Sequence, residues 1–544
     1  MGIKLLLFGP EYVGKTCVAA TLVGEPFQEC TATQGADIQI CNASNWKKLT
    51  KEEVSQRLKN EYLSNLTICA DSKDITTKAS VNAEKEAPQP SDEIKPVSNT
   101  DPLPKVEAED VEAFKSAKAK GVTKVIKMRG GIDVTILDFA GQVQYHNTHS
   151  VFIRKENIIM VVFNASQPLS KIVKIRSSTT QKNPMTNSQN IHFWMKTVHS
   201  ICHEPGGTTD KASLLPVIIL VATHLDLLGD SAEKRKEEII QTLAKELKGK
   251  PYARHLAGHG EGLLNALRKY CIFLSNKVRD PKAIQQLQNT IIEVSAAILS
   301  KEHPLVYLKI ERELLGIDKG VITIEEFHEI TCRCGFLASI DSKEFAYTVE
   351  HFHHNGTLLN FASIESLKGL VILSPHWLTK LFAFALLAHP YKPTGNGRDF
   401  SFDNLKENGI LLDSFLSYML DYFNNSGVTG YQIKQPEAVD LMKRFGFLAQ
   451  ISPKTKILEE DVKIVREEKA LYIVPSLLPD DTNNHKKVPE KNDKNVRIIY
   501  FHFPDEFLPP MLFNQLVSMC VNRNEDKRED LIWYDIIVCI YNML

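Results

Sequence analysis

The first sixteen residues constrain this chain more than any other stretch. Ile3-Lys4-Leu5-Leu6-Leu7-Phe8 is an apolar run that reads as a buried parallel strand, and it leads directly into Gly9-Pro10-Glu11-Tyr12-Val13-Gly14-Lys15-Thr16. That octet matches the pattern of a loop that wraps phosphate, G-x-x-x-x-G-K-[ST], at every fixed position. Gly9 and Gly14 let backbone N–H groups turn inward on phosphate oxygens. Lys15 brings an ammonium to the outer phosphates, and Thr16 offers a hydroxyl to Mg²⁺. From Cys17 a helix begins, and its positive end faces the same anion. Strand, loop and helix in this order predict an α/β sheet with an anion site at a strand's C-terminal end.

Composition narrows the partners. The chain has 544 residues, 43% hydrophobic and 24% charged, with a formal net charge of -1. Such a chain forms several globular domains, and its balanced charge argues against nucleic acid or an anionic membrane as a partner. The 10 cysteines follow no regular framework and no signal peptide precedes them, so reduced thiols and a cytoplasmic location are expected. The apolar start is too short for a signal sequence, and Leu6 stands where N-myristoylation wants Ser or Thr. The most apolar window, Leu370 to Ala388, contains Pro375, His376 and Lys380. It reads as a buried helix, and no transmembrane segment is expected.

Downstream, Thr31-Ala32-Thr33-Gln34-Gly35-Ala36-Asp37 puts Thr33 18 residues after Lys15, the distance of a loop that closes over Mg²⁺ when a γ-phosphate is present. Trp46 to Leu66 carries apolar residues at roughly helical spacing and is expected to form a flanking helix. Residues 71 to about 120 are rich in Lys, Glu, Asp, Pro and Ser, with Phe114 the lone aromatic, so a disordered insert is expected there. Gly131 to Leu137 reads as a strand and ends in Asp138-Phe139-Ala140-Gly141-Gln142. Asp138 can hold Mg²⁺ through water, Gly141 can offer an N–H to the γ-phosphate, and Gln142 can orient the attacking water.

Asn157 to Phe163 and Leu215 to Ala222 are further buried strands, each alternating with a helical stretch, which predicts a doubly wound, mostly parallel sheet. The latter strand delivers Thr223-His224-Leu225-Asp226. A carboxylate accepts the N1–H and the exocyclic amine of guanine together, whereas adenine offers no such pair, so Asp226 favours GTP over ATP. Ras-like GTPases have N-K-x-D here; Thr223 and His224 stand in place of Asn and Lys, with His224 free to stack on the purine. Tyr270 to Leu274 is a further strand, ending in Ser275-Asn276-Lys277, which resembles the S-A-K base-contacting loop.

Taken together, ATQGAD, DFAGQ and THLD resemble the Roc domain of Roco proteins, the group that includes the leucine-rich-repeat kinases. The likeness continues through Pro304 to Glu311, Glu350 to Gly356 and Leu373 to Leu378, which resemble landmarks of the COR domain, and through Leu471 to Pro479, which resembles the opening of its C-terminal half. The resemblance implies a Roc GTPase domain over about 1–300, an α+β COR region with a winged-helix-like first half over 301–460, and a second half over 461–544. It also implies a homodimer formed through COR. Repeats before Roc and a kinase after COR, usual in that family, would be missing, and the chain reads as a shortened form or an incomplete sequence.

Guanine nucleotide, GTP or GDP, is then expected to touch Gly9, Glu11, Tyr12, Val13, Gly14, Lys15, Thr16, Cys17, Gly141, Thr223, His224, Asp226, Ser275, Asn276 and Lys277. Thr16, Thr33 and Asp138 would surround Mg²⁺, while Lys15, Thr33 and Gln142 would carry hydrolysis by positioning. Glu11 adds bulk and negative charge beside the phosphates, so slow turnover is expected, with a partner supplying positive charge or Glu11 swinging into solvent. A nucleotide-binding scaffold with little hydrolysis is the alternative; an ATP-driven oligomerising switch is a further one, which Asp226 argues against. His351, His353 and His354 with Cys332 and Cys334 lack zinc-finger spacing and read as an ordinary helix and turn. Lys47, Lys48 and Lys51 read as a solvated face, and residues 480–495 as a mobile loop.

Overall fold

The computed structural model describes residues 2–28, 36–50, 52–57, 132–141, 146–173, 185–202, 215–299, 304–387, 400–426, 431–451 and 470–477, with isolated positions between 507 and 516. The expected insert at 71–120, the loop at 480–495, Thr33 and Gln142 lie outside the described residues.

A seven-stranded sheet organises the N-terminal part, in the order β3-β2-β4-β1-β5-β6-β7. β1 (Ile3–Phe8), β4 (Asp133–Phe139), β5 (Asn157–Asn164), β6 (Val217–Thr223) and β7 (Cys271–Phe273) run parallel. β2 (Ala36–Asn42) is antiparallel to β4 and also pairs with β3 (Lys47–Lys48) at the edge. The apolar runs alternate between two cores, as the two-residue period of a strand requires. Leu5, Leu7, Ile136, Met160 and Val221 face one side, with α1 (Lys15–Leu22) and α6 (Pro281–Leu299). Leu6, Phe8, Leu137, Val161 and Leu220 face the other, with α3 (Asn187–Cys202) and α4 (Ala232–Leu247). Burial on both faces is why these strands are almost continuously apolar. A short helix α2 (His146–His149) follows β4, and α5 (Leu263–Tyr270) precedes β7. His149 of α2 is fully buried in a stack with Phe8 and Trp194, whose rings are 4.4 Å apart.

The flanking helix expected from Trp46 to Leu66 is replaced at its start, and residues 58–66 lie outside the described residues. Trp46, buried at φ 53, closes a turn in which its N–H donates to Asn42 O, and Lys47–Lys48 forms β3; of the rest, the described helix covers 52–57. The turn chemistry of Asn42-Ala43-Ser44-Asn45 overrides the helical spacing, with Asn42 Oδ1 accepting the Ser44 N–H.

The remainder contains one arrangement twice. α7 (Leu305–Leu315), β8 (Val321–Thr323), α8 (Ile324–Arg333), α9 (Lys343–His354), β9 (Leu359–Asn360) and β10 (Leu370–Ile372) form a winged-helix unit with strand order β8-β10-β9. After α10 (Pro375–Leu387) come α11 (Phe400–Asn408), β11 (Ile410–Leu412), α12 (Asp413–Asn424), α13 (Gln435–Arg444), β12 (Ala449–Ile451) and β13 (Leu471–Ile473), with order β11-β13-β12. Both the order of elements and the strand order repeat. The winged-helix expectation for the first half thus extends to a second unit. Leu471–Ile473, expected to open a separate C-terminal half, is instead the buried central strand of this second sheet. A capping box of Thr323 and Glu326 starts α8, and the Ser342 side chain caps α9.

The two parts share one hydrophobic cluster, in which Trp377, Leu378, Leu381 and Phe382 of α10 join the residues under β2 and β4. Among the described residues no helix is long and apolar enough to cross a membrane. The histidines at the end of α9 go to separate neighbours: His351 packs on Tyr307, and His353 Nδ1 accepts the Asn360 N–H at 3.1 Å. Phe507 meets Phe193 of α3 edge-on, under the ammonium of Lys196.

Candidate functional site

The phosphate loop lies at the C-terminal ends of β1 and β4, where the strand order reverses about β1. Gly9 has φ 144, and a Cβ there would meet Val162 O at 2.2 Å, so only glycine lets the loop leave β1. From the opposite side Gly141 lies flush on the loop; a Cβ on it would come within 2.5 Å of Glu11 N and 2.6 Å of Lys15 Nζ. The two strand ends therefore meet around the lysine. Lys15 Nζ donates to Gly9 O at 3.0 Å and to Pro10 O at 2.9 Å. Burial pushes its pKa down to about 8, against the pull of the Asp138 and Glu11 charges. The Thr16 hydroxyl donates to Asp138 Oδ2 at 2.5 Å, and Asp138 is 1% exposed. A hydroxyl and a carboxylate side by side form a hard oxygen donor set of the kind Mg²⁺ takes.

Glu11 does not swing into solvent. It is 9% exposed and close enough to Lys15 to raise that group's pKa, because its backbone is clamped between Gly141 and the loop. Its neighbour Tyr12 points outward at 57% exposure. Val13 is buried, and Cys17 is half-buried with Sγ 3.9 Å from Gln28 O.

Two further loops close the site. Thr223, fully buried at the end of β6, places Oγ1 2.6 Å from Val13 O. His224 Nδ1 lies 2.9 Å from that same oxygen, and burial lowers the His224 pKa against the pull of Asp226. Asp226 Oδ1 accepts the Ser275 hydroxyl at 2.6 Å, which joins residues 49 apart in the chain into one polar pair. Ser275 Oγ also accepts the N–H of Lys277 and of Val278. Asn276 points away from that pair and reaches Gly14 O at 3.3 Å. Of the four non-glycine residues with positive φ among the described residues, Tyr12, His224 and Arg279 lie in these loops, with values of 62, 60 and 58. Strain of this kind gathers where surrounding structure dictates a special geometry.

The motifs for Lys15, Thr16, Asp138, Gly141, Thr223, Asp226 and Ser275 thus converge in space. Sequence reading missed two features. Thr21 in α1, which donates to Asn276 Oδ1 at 3.2 Å, belongs to no motif. His376 at the start of α10 donates from Nδ1 to the carbonyl of Ala36 at 2.8 Å, and its sequence neighbours signal only a buried helix.

A doubly wound sheet with this loop defines a P-loop protein of the GTPase type. Residues 304–478 match the family described as C-terminal of Roc, COR-A domain. The chain is similar to the probable serine/threonine-protein kinases roco5 and pats1 of Dictyostelium discoideum. Identity is 23% to each, over 48% and 50% of this chain and 8% and 7% of those proteins. The leucine-rich repeat serine/threonine-protein kinase 1 of Caenorhabditis elegans is 21% identical over 52% of this chain and 11% of that protein. The matches therefore span about half of this chain and a small part of each relative. Among solved structures, the RocCORdC structure of Methanosarcina barkeri Roco2 bound to GDP aligns with 88% of this chain and 95% of that one, at 16% identity and a TM-score of 0.46. Residues 304–478 are therefore a COR-A domain, and the chain is similar to Roco-family proteins over about half of its length.

Proposed function

We propose that this chain binds guanine nucleotide at the loop around Lys15 and hydrolyses GTP to GDP slowly, as an intracellular switch. The observation that carries the reading is the buried cluster in which Thr16 meets Asp138 at 2.5 Å beside Lys15, with Gly141 against the loop. Lys15 and the loop N–H groups hold the outer phosphates. Thr16 and Asp138, joined by Thr33, hold Mg²⁺, which when bound neutralises charge that develops between the outer phosphates. Gln142 orients the water. Asp226, braced by Ser275, accepts the N1–H and amine of guanine, and His224 lies against the purine. The buried charge of Glu11 supports slow turnover, because it opposes the build-up of negative charge that hydrolysis requires.

The assembly is proposed as a cytoplasmic homodimer through COR, with Roc ending near residue 300, between α6 and α7. Tyr418 and Tyr422, about half exposed on α12, are the aromatic surface that supports association. A DNA-reading role for the winged helices is disfavoured, because the third helix of each unit is already engaged. The turn after α9 accepts Lys4 Nζ of β1 through Asn355 O at 2.9 Å, and Asp440 of α13 accepts Ser366 Oγ at 2.6 Å.

Titration of GDP and XDP against the wild type and Asp226→Asn tests the reading. The variant should lose GDP and gain XDP, since xanthine presents a carbonyl where guanine has its amine. Single-turnover GTP hydrolysis with Mg²⁺ tests the reaction. A wild type that binds no guanine nucleotide would end the proposal.

A further inference from the structure

Two side chains from the base-side loops end on consecutive carbonyls of the phosphate loop. Thr223 Oγ1 is 2.6 Å from Val13 O, and Asn276 Nδ2 is 3.3 Å from Gly14 O. Both are buried, at 0% and 7% exposure. Thr223 has one proton and three polar atoms within reach, Val13 O, His224 Nδ1 at 2.9 Å and Phe163 O at 3.0 Å. The shortest contact marks Val13 as the acceptor, which leaves the Thr223 oxygen to accept from a His224 Nδ1–H. The orientation of Asn276 follows from its neighbours. Gly14 O, which also takes the Val18 N–H, can only accept, so the NH₂ end faces it, and Oδ1 then accepts the Thr21 hydroxyl.

The consequence lies in the peptide planes. In a trans peptide the C=O and the following N–H point in opposite directions. Drawing Val13 O toward Thr223 therefore turns the Gly14 N–H to the other side. Drawing Gly14 O toward Asn276 does the same for the Lys15 N–H. The other side is the one on which a loop of this pattern receives its anion. Without Thr223 the first plane is free to rotate, and without Asn276 the second is held by the Val18 N–H alone, which reaches Gly14 O at 2.9 Å. An arriving anion must then fix what is loose at its own expense.

We propose that Thr223 and Asn276 are positioning residues for the phosphates, aiming the Gly14 and Lys15 N–H groups before nucleotide arrives, and that Asn276 does not read the base although it sits in the base loop. The proposal rests on the guanine-nucleotide reading above. Its direct consequence is residence time: loosening either tie speeds release of any nucleoside diphosphate and leaves base preference alone.

The test uses the full chain and fluorescent GDP and IDP, the latter lacking the exocyclic amine. Dissociation is measured for the wild type, Asn276→Ala, Asn276→Asp, Thr21→Val and the double variant Asn276→Ala with Thr21→Val. Asn276→Asp keeps an acceptor for Thr21 and loses the donor to Gly14. Loss of a buried hydrogen bond predicts release faster by about tenfold for both Asn276 variants, equal for GDP and IDP. Thr21→Val, which keeps the side-chain volume, should show a smaller increase and add nothing to Asn276→Ala, because both act through one amide. It also carries the test if an Asn276 variant fails to fold. Unchanged release, or loss of the preference for GDP over IDP, overturns the proposal, the latter by making Asn276 a base reader. A wild type that binds neither probe overturns the nucleotide reading and this proposal together, whereas normal wild-type binding with unaltered variants overturns this proposal alone.

Discussion

The imidazole of His376 and the carbonyl of Ala36 form a 2.8 Å hydrogen bond across the seam between the sheet domain and COR. Because a carbonyl only accepts, the proton sits on Nδ1. Ala36 opens β2, whose register runs Ala36 to Phe139 and Asp37 to Asp138, so this one bond ties the first turn of α10 to the strand that lies alongside Asp138. A displacement at the start of β2 is therefore felt directly by α10, which is packed in the shared core.

This gives a first expectation. His376→Ala removes the donor and leaves the Ala36 carbonyl at a half-buried seam, which predicts a loss of about 1 kcal/mol in stability by denaturant unfolding. His376→Asn, which offers an amide N–H, should recover part of it. An unchanged midpoint for His376→Ala would show that solvent replaces the bond at no cost.

How far the chain could be read without coordinates depended on periodicity. β1, β5 and β6 were legible because burial on both faces leaves nearly uninterrupted apolar runs, β4 because it alternates before turning apolar, and Asp226 and Ser275 because each sits in a motif at a strand end. Strands of two or three residues, such as Leu359–Asn360 and Ile410–Leu412, are too short for an alternation to register, which hid the second winged-helix unit. Thr21 and His376 carried no signal, since single polar residues that bond to a distant backbone follow no pattern along the chain.

A second expectation concerns Lys15. Its pKa in the ligand-free protein is lowered to about 8, first by burial. Phosphate oxygens favour the charged form, so nucleotide binding restores the proton. Below pH 8 the lysine is already charged and affinity should be flat. Above it, each further unit of pH should weaken binding by up to about tenfold, with uptake of one proton per nucleotide. Calorimetry of GDP binding at pH 9 in two buffers of different ionisation enthalpy measures this uptake; its absence would mean that Lys15 stays charged before nucleotide arrives.

Acid stability supplies a third. His353 has its pKa lowered to about 4 from the ordinary 6.5, by burial first and then by the charges of Arg154, His354 and Arg444. Between those values the unfolded chain binds a proton that the native one refuses. The stability tied to neutral His353 is therefore complete above about pH 6.5, is lost as pH falls toward 4, and changes no further below that. In His353→Asn, which can still accept the Asn360 N–H, the urea midpoint should fall less steeply over this window than in the wild type. Parallel slopes would assign the acid sensitivity to other groups.

The last expectation concerns turnover, and it sets Glu11 against Gln142. Glu11 is buried against Gly141 and acts on Lys15, so its carboxylate is held near the phosphates, with no rotation into solvent to relieve it. Charge that develops on the outer phosphate then meets a fixed negative neighbour in a site of low dielectric, where such a charge is felt strongly. Intrinsic hydrolysis should accordingly be no faster than the roughly 10⁻⁴ per second scale of unaided small GTPases. Glu11→Gly removes both the charge and the bulk and should raise the single-turnover rate in Mg²⁺, whereas Gln142→Leu should lower it by removing the group that orients water. If GTP binds to both variants and neither rate moves, the loop serves binding rather than chemistry, and the nucleotide acts as a structural ligand of a scaffold.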